Sequence, residues 1–154
     1  RSKIYFSFIR LMNMTNLHTE IIINATAEKV WSILTDFEKF PEWNPMIVSI
    51  KGKQEVGAQL TVTLKNGKST STFQPRVVAC EKDKAFEWLG HLPLGMFNGH
   101  HQFRIEKLSD TQVKLTHQED FSGWLSGLIM KIIGKQTRQG FVSMNEALKK
   151  RAEQ

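Results

Sequence analysis

One amphipathic helix near the start of this chain is followed by six strand-like runs and then by one long helical pattern. A single helix cannot cover six strands, so the strands must curl around a helix, and a sheet curled in that way encloses space. The functional question becomes what fills that space.

Local signals build this order. Ile21, Ile22 and Ile23 form a β-branched run that reads as a strand, and Asn24 and Thr26 offer capping oxygens to the helix that follows. Within that helix Val30, Ile33, Leu34 and Phe37 recur at i, i+3, i+4 and i+7, with Glu28 near its positive end. Pro41 and Pro45 forbid a long continuation, so residues 36–43 read as a short second helix or turn that delivers Phe37, Phe40 and Trp43 to one rim. The strand runs are 46–50, 59–64, 71–81, 85–89, 98–107 and 111–121, at antiparallel meander distances. In the clearest of them Leu60, Val62 and Leu64 alternate with Thr61 and Thr63, and Asn66-Gly67 then predicts a type I′ hairpin. From residue 122 to about 152 the period turns helical, with Leu125, Leu128, Ile129 and Ile132 early and Phe141, Met144 and Leu148 late. The predicted class is α+β: one strand, two helices, six strands and a closing helix.

The 154 residues suit one domain. Residues 15–154 read as that domain, and residues 1–14, basic and apolar but without a small-residue cleavage site, read as an N-terminal extension peripheral to the fold. A contact of this segment with a membrane surface or a partner is the second reading. The net charge of +6 is uneven: residues 1–14 hold three cations and no acid, residues 122–154 hold six cations against two acids, and the middle carries one net negative charge. A nucleic-acid reader concentrates cations on its reading surface, so this distribution predicts no nucleic-acid partner. No apolar run approaches the roughly 18 to 20 residues of a membrane span. Cys80 stands alone, so no internal disulfide forms and a cytoplasmic location is expected. As a nucleophile it would need a basic partner, and a small buried thiol in a strand is the simpler reading.

Standard catalytic signatures are near misses. Gly123-Trp124-Leu125-Ser126-Gly127 has its serine in the wrong place for a nucleophile elbow, and Gly134-Lys135 is followed by Gln136 and lies at the wrong distance from Gly127 for a phosphate loop. No dinucleotide fingerprint is present, so no cofactor is expected.

The last two strands supply the polar group to weigh. Parity puts His101, His117 and Glu119 on the same inward side as Phe103, Ile105, Val113 and Leu115, and pairing brings His101 opposite His117 or Glu119, with Cβ atoms about 4.5 to 5.5 Å apart for a facing pair. An imidazole beside a carboxylate is a competent general base. The simpler reading has these groups bond one another, hold water or orient a ligand hydroxyl. Zinc would want three or four ligands in tight geometry, so no metal is expected here. His100 has the opposite parity and reads as exposed. Most aromatics read as core, whereas Trp43 and Phe97, in loop-like segments, read as pocket rim.

Ala25-Thr26-Ala27-Glu28-Lys29-Val30-Trp31, Leu34-Thr35-Asp36 and Phe40-Pro41-Glu42-Trp43-Asn44-Pro45 resemble the opening of the SRPBCC superfamily, the START/Bet v 1-like group with its polyketide cyclase/dehydrase-like branch. Phe86-Glu87-Trp88-Leu89-Gly90, Gly99-His100-His101-Gln102-Phe103, His117 to Gly123 and Gly140 to Lys149 resemble bacterial members of it, over about Leu17–Glu153. The resemblance implies a helix-grip fold, a curved antiparallel sheet wrapped around a long C-terminal helix with a cavity between them for a small hydrophobic or amphipathic molecule. Its expected lining is Phe37, Trp43, Phe73, Trp88, Phe97 and Phe103, with Leu128 and Ile132 from the helix and His101, His117 and Glu119 at the polar end. Two other functions fit the superfamily: a cofactor-independent cyclase, dehydratase or hydrolase using His101, His117 and Glu119 as acid and base, and a module that binds a protein client. A monomer and a homodimer are both compatible with the sequence.

Overall fold

Thr26 starts the first helix as its N-cap, its hydroxyl oxygen accepting the Lys29 N–H at 3.1 Å. The computed structural model describes residues 15–154, so the segment 1–14 lies outside the described residues. The chain runs through β1 (Thr15–Ile23), α1 (Ala27–Thr35), a 3₁₀ turn (Phe37–Lys39) and α2 (Phe40–Trp43). Next come β2 (Ile47–Lys51), β3 (Thr61–Asn66), β4 (Ser69–Phe73), β5 (Arg76–Glu81) and β6 (Ala85–His91). A 3₁₀ turn (Pro93–Gly95), β7 (Asn98–Ser109), β8 (Gln112–Ser122) and α3 (Ser126–Ala152) complete it.

Among the described residues two antiparallel sheets form, one ordered β1-β8-β7-β6-β5 and one ordered β2-β3-β4. They meet where residues 57–60 run against the start of β5: Gly57 N–H donates to Val77 O at 2.9 Å, Val77 N–H to Ala58 O at 2.9 Å and Leu60 N–H to Pro75 O at 2.8 Å. The long strands β1 and β8 carry α3 against their concave face, with Phe141 of α3 reaching His101 on β7, which is the helix-grip arrangement.

Seven strands follow α1, one more than the pattern predicts. The run 71–81 is two strands, β4 and β5, because Pro75 has no N–H to donate and breaks the ladder between them. The β3–β4 turn also differs. Asn66 stays in the strand opposite Ser69, and the two turn residues are Gly67 and Lys68, of which only Gly67 has a positive φ, 63°. A type I′ turn needs positive φ at both, so the turn is of another kind.

The closing helix departs from a single apolar stripe. Met130, Phe141, Met144 and Leu148 are buried, yet Leu128 and Ile132 are 59% and 74% exposed. At about 100° per residue the early set Leu125, Leu128, Ile129 and Ile132 lies nearly opposite the late set Phe141, Met144 and Leu148, so one helix cannot bury both against one sheet. The C-terminal half wins because β1 and α1 hold it, through Asn145 to Thr19, Lys149 to the Ile22 carbonyl and Lys29 to the Gln154 carbonyl. No helix among the described residues is long and apolar enough to cross a membrane.

Candidate functional site

Two cross-strand rows build the concave face. Register aligns Trp88, His101, Glu119 and Leu17 across β6, β7, β8 and β1, and one step along it aligns Phe86, Phe103, His117 and Thr19. His101 therefore faces Glu119 directly and meets His117 on the diagonal.

The polar side chains of these rows join into one buried chain. His101 Nδ1 lies 3.1 Å from Glu119 Oε2, and His101 Nε2 lies 2.8 Å from His117 Nε2. His117 Nδ1 lies 2.8 Å from Asn145 Oδ1 on α3. The Asn145 amide donates to Thr19 Oγ1 at 2.9 Å, and the Thr19 hydroxyl donates to the His117 carbonyl at 2.6 Å. Exposure rises along this chain from none at His117 to 5% at the His101 side chain and 16% at the Glu119 side chain. Glu119 is thus the end nearest solvent. Its Oε1 has no hydrogen-bond partner among the described residues, and it lies against Gly99, where an added Cβ would overlap it.

Aromatic rings enclose the imidazoles. Phe141 stacks on His117 with centroids 3.9 Å apart, and Trp88 stacks on His101 at 4.5 Å. Phe103 touches both. Burial pushes the His117 imidazole well below its ordinary pKa, the neighbouring His101 adds to the shift, and the Asn145 hydrogen bond opposes it. His117 is neutral near pH 7.

Other predicted lining residues are scattered. Phe37 is buried against Phe40 and Phe86, a core position rather than a rim. Phe97 is half-buried, stacked on Phe121 at 5.4 Å just ahead of β7. Phe73 lies exposed on β4, away from the histidines' sheet, and Leu128 and Ile132 face outward from α3. Trp43 lines a cleft of about 190 Å³ with Ser32, Ile33, Asp36, Lys39 and Arg151, and its buried indole N–H has no partner there. A second cleft of about 430 Å³ lies on α3 at Arg138, Gln139, Val142 and Ser143. Neither cleft includes the His101, His117 and Glu119 group, whose two imidazoles are packed by Phe103, Phe141 and Trp88.

His100 sits on the convex face, half-exposed, 2.8 Å from Glu87 Oε2, and Arg104 pairs with the other Glu87 oxygen. Cys80 lies in β5, where burial raises its thiol pKa, the opposite of an activated nucleophile. No three His, Cys, Asp or Glu residues converge as a metal site would require among the described residues.

Sequence reasoning missed Asn145, Thr19 and Gly99. The signal for Asn145 was present, since an amide lies on the Phe141, Met144 and Leu148 stripe, where a buried polar group demands a partner. Thr19 likewise shares the inward parity of Leu17 and Ile23. Gly99 carried no such mark, because the overlap depends on how Glu119 turns.

The family profile described as polyketide cyclase / dehydrase and lipid transport matches residues 14–153. No curated protein matches the chain. Among solved structures it is similar to the Zhui aromatase/cyclase from a Streptomyces species, with TM-score 0.72 and 13% identity over 91% of this chain and 94% of that one. It is also similar to a START superfamily protein from Mycobacterium smegmatis, with TM-score 0.69 and 20% identity over 92% and 97% of the two chains. A truncated norcoclaurine synthase from Thalictrum flavum gives TM-score 0.68 and 13% identity over 89% and 92%. At such identities the likeness is one of fold, which hosts many functions.

Proposed function

We propose a function from one premise: this chain belongs to the polyketide cyclase, dehydrase and lipid transport family. It binds or carries a small hydrophobic or amphipathic molecule, held between the concave face of the five-stranded sheet and the first half of α3, with the polar end of the molecule at Glu119.

The observation that carries this reading is that both imidazoles are saturated. His101 spends its two ring nitrogens on Glu119 and His117, and His117 spends its two on His101 and Asn145. A histidine acting as general base needs a free nitrogen within reach of the substrate proton. The pair is therefore better suited to orienting Glu119 than to attacking a ligand.

The entrance follows from how α3 is held. Arg138 donates to the His18 carbonyl and Lys149 to the Ile22 carbonyl, so the helix runs along β1 and its earlier turns pass the level of Leu17 and Glu119. Between residues 126 and 140 only Ser126 and Met130 are buried, against five buried residues beyond. The half of the helix nearest Glu119 is the half with least to lose on lifting, and the ligand enters beneath it. The unpaired Cys80 thiol favours a cytoplasmic setting.

Native mass spectrometry of freshly purified protein tests this reading. A retained small molecule, or a raised melting temperature with added lipophilic compounds, is the expected result. A bare mass together with no thermal shift from any compound would overturn it.

One observation favours a second reading. The proton between His101 Nδ1 and Glu119 Oε2 is shared by an acid and a base at the most exposed end of the chain, which suits a cofactor-independent cyclase, dehydratase or hydrolase. In that case Glu119→Gln and His117→Ala abolish turnover and spare ligand affinity; in the carrier, affinity falls with them.

A further inference from the structure

The direction of every hydrogen bond in the buried chain is fixed from its inner end. The Thr19 hydroxyl has one proton, and the His117 carbonyl, a pure acceptor 2.6 Å away, takes it. Thr19 Oγ1 then accepts from the Asn145 amide, which turns Asn145 Oδ1 to His117 as an acceptor. His117 Nδ1 must carry a proton. Because His117 is buried and neutral, its Nε2 is a bare lone pair, and His101 Nε2, 2.8 Å away, must be the donor.

One contact remains. His101 Nδ1 and Glu119 Oε2 hold a single proton between them, either as imidazolium and carboxylate or as imidazole and carboxylic acid. In both states the other oxygen, Glu119 Oε1, carries no proton and can only accept. That oxygen is the one without a partner, in the most exposed side chain of this hydrogen-bonded series, and it lies in the space that the missing Cβ of Gly99 leaves.

We propose that the polar end of the ligand is a hydrogen-bond donor, a hydroxyl or ammonium group given to Glu119 Oε1, and that carboxylate and phosphate headgroups are rejected. This rests on the binding reading above and deepens it. A carboxylate would bring acceptor against acceptor and, in the ion-pair state, charge against like charge. A donor meets a partly buried acceptor that has no other partner. Thr19 and Asn145 act as positioning residues, since they set the polarity of the whole chain without reaching the ligand.

Matched headgroups on constant apolar bodies test the proposal at pH 7.5. The aryl series is 2-naphthol, 2-naphthylmethylamine, 2-naphthoate and 2-methylnaphthalene; the alkyl series is decanol, decylamine, decanoate and decane. Calorimetry or quenching of tryptophan fluorescence on the full chain is expected to rank the alcohol and amine about ten- to hundredfold tighter than the carboxylate. Glu119→Leu is expected to erase that difference and leave the weaker binding of the apolar body. Equal affinity across headgroups, or tighter binding of the carboxylates, would overturn the donor rule while leaving carriage intact. No binding in either series would overturn carriage itself. A readout independent of any ligand or variant is the ¹⁵N spectrum of the imidazoles: neutral His117 protonated on Nδ1 is expected, and protonation on Nε2 instead would overturn the direction assigned to the chain and with it the positioning role of Thr19 and Asn145.

Discussion

Asn145 on α3 accepts a hydrogen bond from His117 Nδ1 on β8 at 2.8 Å through its Oδ1 and donates one from its amide N–H to Thr19 Oγ1 on β1 at 2.9 Å. One side chain thus joins the closing helix to two neighbouring strands and sets the tautomer of the buried imidazole. Helix docking and the polar site are the same contact, so perturbing one reads out in the other.

Asn145→Ala leaves the His117 Nδ1–H buried without an acceptor and is expected to cost about 1–3 kcal/mol. Thr19→Val orphans the Asn145 amide, with a loss of similar size. Urea denaturation of both single variants and the double variant checks this. The two effects should couple by about 0.5–3 kcal/mol, and simple additivity would count against a shared chain.

Stability should fall as the solution is acidified through the ordinary histidine range. The His117 pKa is well below its usual 6.5 in the folded protein, so the unfolded chain binds the extra proton first. Its contribution is fully present above about pH 6.5 and is lost as pH drops towards the folded value, at no more than about 1.4 kcal/mol per pH unit. The groups facing the ring are His101, Asn145 and the rings of Phe103 and Phe141, with Glu119 beyond His101. The difference between wild type and His117→Gln isolates this term from other histidines; parallel stability curves for the two below pH 6.5 would refute it.

Gly99→Ala puts a methyl group where Glu119 Oε1 lies. Overpacking of this kind is expected to cost about 1–3 kcal/mol and to turn Glu119 away from His101. Glu119→Ala in the same chain should restore most of the loss. Thermal melts of the single and double variants decide, and an undisturbed Gly99→Ala melt would show that Glu119 moves aside freely.

Leu128→Ser and Ile132→Ser should change stability by less than about 0.5 kcal/mol, because both side chains already face outward. Phe141→Ala, from the buried side of the same helix, should cost about 3–5 kcal/mol. If the two serine variants prove as damaging as Phe141→Ala, the helix is rotated from the orientation described.

The sequence by itself determined the order of elements and the faces of the strands, because alternation and helical period are properties of the local backbone. Leu60 and Val62 are buried as their spacing predicts, and His101, His117 and Glu119 share the concave face for the same reason. Pro75 was also legible as a strand breaker, although the run around it reads as one strand when only β-branched residues are weighed. What the tertiary structure alone decided is which polar atoms meet. His117 and Asn145 are 28 residues apart and Thr19 and Asn145 are 126 apart, so their contact depends on where α3 docks. Docking also chose between two apolar stripes on that helix, burying Phe141 and Met144 and leaving Leu128 and Ile132 outside. The saturation of His117 follows from that choice: its contact with His101 and the His101–Glu119 contact come with strand register, whereas Asn145 reaches His117 Nδ1 only when this face of α3 docks on the sheet.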